Sequence, residues 1–136
     1  MDDLKKEVHD FWNEASCGEQ LYLDGSDESG YLAQMHKRYE LEPFIESFAR
    51  FEEARDLDVL EIGVGLGADH QRFANAGARL TGIDLTARAV EHTRRRFELF
   101  GLRSDLRVAD AECLPFGEES FDLVYQSPSM AYIPEV

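Results

Sequence analysis

Three glycines recur at every second position in the segment VLEIGVGLGAD, residues 59–69, and an acid, Glu61, lies two positions before the first of them. The glycines are Gly63, Gly65 and Gly67. Such a run turns tightly, adopts positive φ angles and lets a ligand approach the bare backbone. An apolar strand pattern precedes the glycines and a helical pattern follows them, so free N–H groups at the helix start would face a bound group. We therefore predict a ligand site here rather than a plain connecting turn.

Two further acids end predicted strands, and each has the chemistry to bind part of an adenosine. Asp84 lies about 20 residues after the glycines, where a carboxylate can accept hydrogen bonds from both hydroxyls of a ribose. Asp110 ends the next strand, where a carboxylate can accept from the exocyclic amine of an adenine. Asp84 could instead cap the following helix, although Thr86 already fits that role, and Asp110 could instead be a turn acid. Together the two acids predict an adenosine-containing cofactor.

The elements that must position these residues alternate between strands and helices. Strands are predicted at residues 59–62, 79–83, 106–109 and 121–125. Helices are predicted at residues 68–76 and from Thr86 to Gly101. This alternation predicts an α/β fold with a Rossmann-like parallel sheet and helices on both faces, in which ligands lie beyond the carboxyl ends of the strands.

The amino-terminal part has a different pattern, with helical spacing of apolar residues over 2–14, 31–39 and about 42–53. We therefore predict two units. Residues 1–57 would form a helical lead-in or lid, and residues 58–136 would form a half-domain that carries the ligand site.

Composition limits the partners. The chain has 136 residues, 28 of them acidic and 14 basic, and its net charge of −14 disfavours nucleic acid and anionic membranes. The basic run at 94–96 is predicted to be a solvated helix face. There is no apolar segment of the roughly 20 residues that span a membrane, and no signal-peptide core. Cys17 and Cys113 lack metal-type spacing and are predicted to be reduced thiols of a cytoplasmic protein, with Cys113 packed among apolar residues.

Two classes of cofactor contain such an adenosine. The nicotinamide dinucleotides are one, since residues 63–68 can be aligned with G-x-G-x-x-A. The alternating G-x-G-x-G with an acid two residues earlier resembles instead the first motif of class I S-adenosylmethionine-dependent methyltransferases. The segments LTGIDLT (80–86), VADAECLPF (108–116) and FDLVY (121–125) resemble that family's second strand, adenine-binding turn and fourth strand. The likeness covers roughly residues 58–134, and FWNEASCGE and EPFIESFARF resemble the lead-in helices of a bacterial subgroup.

The resemblance implies that S-adenosyl-L-methionine is the cofactor, and it implies a set of residues that bind it. These residues are Glu61, Gly63, Gly65, Gly67, Asp84, Leu85, Asp110, Ala111, Glu112 and Gln126. The glycines would let the backbone approach the methionine moiety, and Glu61 would reach its ammonium directly or through water. Asp84 would bind the ribose hydroxyls, and Leu85 would contact the adenine.

The same resemblance implies that residues 110–112 frame the base and that Gln126 begins the loop facing the sulfonium methyl. Lead-in helices of such enzymes often close over the cofactor, which makes Tyr31 and Arg38 candidates, Arg38 for the carboxylate. Helix packing and a surface salt bridge are the alternative for this pair. No catalytic residue is predicted, because methyl transfer chiefly needs positioning and exclusion of water, and the four histidines have surroundings typical of surface or packing positions.

Two features depart from the family pattern. The loop at 126–134 lacks the aromatic and histidine residues of the subgroup, so its substrate-facing wall differs. The family fold has seven strands, whereas this chain ends after the fourth, so we expect a homodimer, another partner or a missing C-terminal half to cover residues 121–136. Three functions stay open: a methyltransferase-type domain acting on a small molecule, a cofactor-binding module without its own catalysis, and a nicotinamide-dependent oxidoreductase.

Overall fold

The computed structural model describes residues 3, 6, 27–117 and 120–128. The rest of the predicted 2–14 helix, most of the 16–30 loop and residues 129–134 lie outside the described residues. The elements are helices α1 (Glu28–Leu41) and α2 (Phe44–Ala49), a 3₁₀ helix (Phe51–Ala54), strand β1 (Asp58–Ile62), helix α3 (Ala68–Ala76), strand β2 (Arg79–Asp84), helix α4 (Ala87–Phe100), and strands β3 (Asp105–Val108) and β4 (Leu123–Gln126). None of these helices has the length and apolar content that crossing a bilayer requires.

The four strands form one parallel sheet in the order β3-β2-β1-β4, which confirms the predicted fold class. The register pairs Ile62 with both Ile83 and Gln126, and it pairs Asp84 with Val108. The carboxyl ends of the strands therefore gather at one edge of the sheet. The strand order changes direction at β1, which has β2 on one side and β4 on the other, and ligands of such sheets bind at this switch point.

The helices after β1 and β2 end where the sequence predicts. Gly77 ends α3 with a φ of 97°, and Gly101 ends α4 with a φ of 66°. Glycine adopts this left-handed region without the steric cost of a side chain. Thr86 caps the start of α4, because its hydroxyl accepts a hydrogen bond from the Ala89 N–H at 3.3 Å. These ends fix the helices relative to the strand tips that form the site.

The lead-in helices differ from their predicted bounds. Helix α1 begins before the predicted 31–39, because the Asp27 carboxylate caps it by accepting from the Gly30 N–H at 2.8 Å. The single helix predicted over 42–53 is wrong. Arg50 has a φ of 51°, and a left-handed residue cannot continue a right-handed helix, so α2 stops there and a 3₁₀ turn follows.

An aromatic core joins the lead-in part to the sheet. Phe73 of α3 packs edge-on against Phe51 at a centroid distance of 4.8 Å and against Tyr125 of β4 at 4.9 Å. All three rings are buried, and such pairs stabilise by about 0.5–1.5 kcal/mol beyond their burial. Because these residues lie on the 3₁₀ helix, α3 and β4, the core holds the 3₁₀ helix and α3 against β4.

Two predictions of exposure are wrong. Arg96, the last residue of the basic run, is fully buried on the inner face of α4 together with Val90, Thr93 and Phe97. Helical spacing places it there, and its guanidinium finds acceptors on neighbouring elements. Cys113 is exposed rather than packed among apolar residues, because it lies in the turn that follows β3.

Candidate functional site

The glycine turn connects β1 to α3, and its glycines have different surroundings. Gly63, Gly65 and Gly67 have φ angles of 78°, 57° and 87°. A Cβ atom added to Gly65 would meet nothing within 4 Å, so the backbone borders open space there. A Cβ atom on Gly67 would lie 2.9 Å from Thr93 Oγ1, so this glycine allows the turn to pack against α4. A ligand could therefore approach the backbone at Gly65, whereas the backbone at Gly67 packs against Thr93 of α4.

A recess opens beside the glycine turn at the carboxyl end of β1. Its walls come from α1, β1, the turn itself, the first turn of α3 and the residue after β4. The lining residues are Gln34, Arg38, Glu61, residues 63–67, Ala68, Asp69 and Ser127. The recess therefore brings together the predicted acid, the predicted glycines and the lead-in arginine.

Glu61 supplies a buried carboxyl group to the recess. It is 2% exposed, and its Oε1 lies 3.0 Å from Nδ1 of His70, which is also fully buried. Burial raises the pKa of Glu61 well above its usual value, and the charge of Asp69 raises it further, whereas Arg38 opposes the shift. Burial also lowers the pKa of His70 to about 3. Burial therefore favours a neutral carboxylic acid beside a neutral imidazole.

Asp84 lies at the end of β2 and is held against the glycine turn. Its Oδ2 accepts from the Gly65 N–H at 3.1 Å, and its Oδ1 accepts from the Thr86 N–H at 3.0 Å. Burial raises the pKa of Asp84, and these two N–H groups counteract the rise. Thr86 caps α4, so Asp84 is not the cap. Oδ1 also accepts from the Thr86 hydroxyl at 3.3 Å, whereas Oδ2 keeps a second acceptor site, with which Asp84 can accept from a ligand.

Asp69, Arg38, Tyr39 and Tyr125 form a buried group that we call the Asp69 cluster. Asp69 is 3% exposed and accepts from Arg38 Nη2 at 3.1 Å, from the Tyr39 hydroxyl at 2.6 Å and from the Tyr125 hydroxyl at 2.9 Å. Arg38 Nη2 also donates to Ser127 Oγ at 2.9 Å. Arg38 also pairs with Glu42 on its own helix at 3.2 Å, so the predicted salt bridge is present, but Arg38 has a second, buried partner in Asp69.

In the Asp69 cluster, the carboxylate stabilises the protonated forms of the three side chains that donate to it. Burial alone would lower the pKa of Arg38, but the adjacent Asp69 carboxylate raises it overall. Burial and the same carboxylate raise the pKa of Tyr39 and of Tyr125. Arg38 is thus held as a cation and both tyrosines as neutral donors, so the rim of the recess carries a fixed guanidinium.

Arg96 forms the centre of a second buried group, which we call the Arg96 cluster. It donates to Gln71 Oε1 at 2.7 Å, to Gln34 Oε1 at 2.8 Å, to the Leu66 carbonyl at 2.8 Å and to the Tyr31 carbonyl at 2.5 Å. All four acceptors are neutral, and burial lowers the pKa of Arg96 to about 10. The cluster ties α1 to α3, α4 and the glycine turn.

Tyr31 belongs to this packing and not to the wall of the recess. Its side chain is fully buried, its hydroxyl lies 2.9 Å from His92 Nδ1, and the Arg96 guanidinium lies 4.9 Å from its ring centroid. The helix-packing alternative therefore describes Tyr31, whereas Arg38, seven residues later on the same helix, reaches the recess.

The predicted adenine segment, 110–112, lies outside the recess, next to Asp84. The Ala109 N–H donates to the Asp84 carbonyl at 2.9 Å, which holds the end of β3 beside the end of β2. Asp110 Oδ1 accepts from the Glu112 N–H at 2.9 Å, as the turn alternative predicts. Ala111 and Glu112 are exposed.

Leu85 follows β2 as predicted, whereas Gln126 belongs to β4 instead of beginning the loop, and neither residue lines the recess. Leu85 is half-buried after β2, and Gln126 is the exposed last residue of β4. The next residue, Ser127, is buried and lines the recess beside Arg38. A shift of one residue along a strand end exchanges the two directions of its side chains, which explains the difference.

Two residues that line the recess, Gln34 and Asp69, and His70, which bonds Glu61 from outside the lining, were not predicted from the sequence. Asp69 and His70 lie in the first turn of α3, directly after the glycines, and a buried acid such as Glu61 needs a partner. The position of His70 just after the glycines, together with the need of Glu61 for a partner, could have indicated that the two residues meet. Gln34 carried no sequence signal beyond its place on a predicted helix.

The comparisons with known proteins decide the family. Residues 59–136, more than half of the chain, match the family described as methyltransferase domain. The chain belongs to this family. The resemblance predicted from the motifs is therefore confirmed, and with it S-adenosyl-L-methionine as the class of cofactor.

Individual relatives agree with this assignment. The chain is 29% identical over 89 residues to the sterol 4-C-methyltransferase of Caenorhabditis elegans, covering 64% of this chain and 27% of that protein. It is 36% identical over 84 residues to the phosphatidylethanolamine N-methyltransferase of Cereibacter sphaeroides, covering 60% of this chain and 41% of that protein. The chain thus spans between about a quarter and two fifths of the length of these relatives.

A solved methyltransferase has the same fold. The magnesium protoporphyrin IX methyltransferase of Synechocystis, in a structure with bound S-adenosylmethionine, matches with a TM-score of 0.66 at 20% identity. The match covers 93% of this chain and 62% of that one. The likeness therefore extends beyond the sheet to the lead-in helices.

Proposed function

We propose that this methyltransferase domain binds S-adenosyl-L-methionine in the recess beside the glycine turn and serves the transfer of its methyl group to a small molecule. One observation carries the proposal: a buried carboxyl group, Glu61, and a fixed guanidinium, Arg38, line the same recess as the open backbone of Gly65. An amino-acid group bears an ammonium and a carboxylate. It is complementary to one anionic and one cationic side chain placed on either side of bare peptide groups.

The adenosine would extend from the recess along the strand ends. The Asp84 carboxylate accepts a hydrogen bond from the Gly65 N–H, so a ribose bound by this carboxylate would lie next to the glycine turn. The segment 110–112 begins one residue after the N–H that bonds the Asp84 carbonyl, which suits it to frame the adenine. Leu85, half-buried between these two places, would contact the base.

The bound cofactor would supply a sulfonium methyl group that is already electrophilic, so this chain has to position groups and exclude water. Helix α1 suits the second task, since Gln34 and Arg38 project from it into the wall of the recess. We therefore assign residues 1–57 the role of a lid and residues 58–136 that of the cofactor-binding half-domain. Gln126 begins the segment that would face the methyl group and its acceptor.

A small-molecule acceptor fits the acidity of the chain, whose net charge of −14 disfavours nucleic acid. The names of the relatives, which give a sterol and phosphatidylethanolamine, support the same class. A cofactor-binding module without its own catalysis is the second candidate, because the chain spans only part of those relatives. A methyl-release assay on a panel of small acceptors separates the two, since the second candidate binds the cofactor without turnover.

Isothermal titration calorimetry with two ligands tests the site. S-adenosylhomocysteine carries the amino-acid group, whereas methylthioadenosine has the adenosine without it. Replacing Asp84 by Ala should weaken both ligands more than tenfold, about 1.4 kcal/mol or more, because both contain the ribose. Replacing Arg38 by Met should weaken S-adenosylhomocysteine by a similar factor and leave methylthioadenosine within about twofold.

The control is Arg50→Met, which removes an exposed arginine of the lead-in part and should leave both affinities unchanged. NAD should not compete with S-adenosylhomocysteine. Equal losses of both ligands in the Arg38 variant would contradict its role toward the carboxylate. Wild-type affinity in the Asp84 variant would remove the ribose role.

We also propose that the outer edge of β4 is covered in the working protein. β4 lies at the edge of the sheet, and Val124 on it is 55% exposed. Unpaired strand edges attract a further strand, which a second copy of the chain or the remaining half of a longer one would supply. Light scattering after size exclusion should give twice the mass of the chain if a second copy covers the edge, and a monomer at high concentration would exclude the homodimer.

A further inference from the structure

Glu61, His70 and Ser104 form a continuous chain of hydrogen bonds that leads from the recess to the residue before β3. Glu61 Oε1 lies 3.0 Å from His70 Nδ1, and His70 Nε2 lies 2.7 Å from Ser104 Oγ. Ser104 Oγ also lies 3.3 Å from the Leu80 carbonyl, to which it can donate. Glu61 lines the recess, whereas Ser104 is half-buried just before β3. The carboxyl group is therefore the end of the chain that a ligand reaches.

The imidazole ring of His70 cannot turn out of this chain without disturbing its surroundings. It packs against Phe97 at a centroid distance of 5.1 Å. A Cβ atom on Gly82 would lie 2.9 Å from His70 Cε1 and Nε2, so the ring occupies the space that a side chain at this position of β2 would fill. Both ring nitrogens have partners, and the ring can respond to a change at Glu61 only by moving its proton.

Two proton arrangements satisfy every group in the chain. In the first, neutral Glu61 donates to Nδ1, the Nε2–H of His70 donates to Ser104, and Ser104 donates to the Leu80 carbonyl. In the second, ionised Glu61 accepts from an Nδ1–H, and the Ser104 hydroxyl donates to Nε2. The second has one proton fewer, His70 is neutral in both, and the imidazole proton moves from Nε2 to Nδ1.

We propose that the ammonium of the cofactor selects between these arrangements, so that binding drives the ionisation of Glu61, the release of one proton to solvent and a change of tautomer at His70. The inference rests on the proposed cofactor site. His70 and Ser104 are then positioning residues, which set the charge of Glu61 without touching the ligand. An ammonium bound beside a neutral acid would lose the attraction that an ionised carboxylate provides.

The groups that face Glu61 favour the neutral acid until a cation arrives. Asp69 on α3 and Asp84 on β2 disfavour a further negative charge, and Arg38 on α1 partly compensates. Tyr125, paired with Glu61 across β1 and β4, is itself a neutral hydroxyl. An added ammonium changes this balance in favour of the ionised form.

Calorimetry in buffers of different ionisation enthalpy measures the proton directly. At about pH 6.5, where the amino group of the ligand is already charged, S-adenosylhomocysteine should release up to about one proton per molecule bound. Its affinity should rise with pH, by up to about tenfold per unit below the pKa of Glu61. Methylthioadenosine, which has no ammonium, should release none.

One test variant and one control variant show whether the released proton comes from Glu61. Glu61→Gln should bind S-adenosylhomocysteine more weakly, with no proton release and no pH dependence. Glu98→Gln, the same change at an exposed position of α4, should behave as the wild type.

Heteronuclear NMR of isotope-labelled histidine side chains reads the tautomer without a variant at the site. The His70 signals should be those of the Nε2–H form in the free protein and of the Nδ1–H form with S-adenosylhomocysteine bound. Assignment by elimination uses the replacement of His9, His36 and His92 by Gln. Binding without proton release, or one unchanged tautomer in both states, would overturn the inference and leave the cofactor site standing. Failure of S-adenosylhomocysteine to bind at all would remove both.

Discussion

Two buried polar clusters fasten α1 to the rest of the molecule, and they balance charge differently. In the Asp69 cluster a buried carboxylate accepts from Arg38 and from two tyrosine hydroxyls. In the Arg96 cluster a fully buried guanidinium meets carbonyl oxygens only of neutral groups. The Asp69 cluster borders the recess, whereas Arg96 lies behind its wall. The Asp69 cluster thus pairs a cation with a carboxylate where a ligand can reach them. In the Arg96 cluster the cation is bound only by neutral oxygens of the protein.

The comparison predicts the largest loss of stability at Arg96. Replacing Arg96 by Met should lower the free energy of unfolding by about 3–5 kcal/mol, because four buried oxygens of α1, α3 and the glycine turn lose their donor. Urea denaturation measures the change. Arg103→Met, the same change at an exposed position before β3, should alter stability by no more than about 0.5 kcal/mol. Similar small changes at both positions would show that the Arg96 cluster is not structural.

The second largest effect on stability is expected at Glu61, whose pKa is influenced by the charges of Asp69 and Arg38. Burial raises its pKa in the folded chain above the usual 4.5, so the native state holds this proton more tightly than the unfolded state does. The stability that the proton contributes is present below that usual value and is lost as pH rises toward the folded pKa, by up to about 1.4 kcal/mol per pH unit. Glutamine keeps a donor for His70 and does not titrate.

Glu61→Gln should therefore match the wild type in acid and exceed its stability at neutral pH. Urea denaturation of both proteins over a series of pH values measures the difference. A difference that stays constant with pH would mean that folding does not shift the pKa of Glu61, and the neutral acid beside His70 would be wrong.

The smallest effect is expected within the Asp69 cluster. Tyr39→Phe removes the 2.6 Å hydrogen bond to Asp69 and leaves Arg38 and Tyr125 as donors. The free energy of unfolding should fall by about 1–2 kcal/mol, less than for Arg96, because the carboxylate keeps other partners. Thermal unfolding of the variant beside Tyr125→Phe sharpens the comparison, since two equal losses indicate that the two hydroxyls contribute equally. A loss as large as that of Arg96→Met would abolish the distinction between the clusters.

Local patterns in the sequence predicted the sheet and the helices that follow it. The bounds of α3 match the prediction of 68–76, and Gly77, Thr86 and Gly101 end or begin helices for the predicted reasons. Arg50 shows where such patterns fail, because arginine has no preference for the left-handed backbone conformation that it adopts there. The fold class could be predicted from the spacing of apolar residues and from the residues that begin or end each element, because these signals are local in the sequence.

The candidate site was predicted less completely, because its contacts join distant segments. The three glycines and Glu61 lie close together in sequence, and the recess contains them all. Arg96 was predicted to be solvated from its charge, but its acceptors lie on α1 and α3, 25 to 65 residues away. His70 was predicted to be a surface or packing residue, since its partner Ser104 follows 34 residues later. A pattern within one element gives no sign of such partners.

The separation between Tyr31 and Arg96 affects how the nascent polypeptide matures. Their hydrogen bond joins residues 65 positions apart. A ribosome adding about 5–20 residues per second needs about 3 to 13 seconds to deliver the arginine after the tyrosine. During that interval α1 has been synthesised without its partner, and its inward face is open to chaperones.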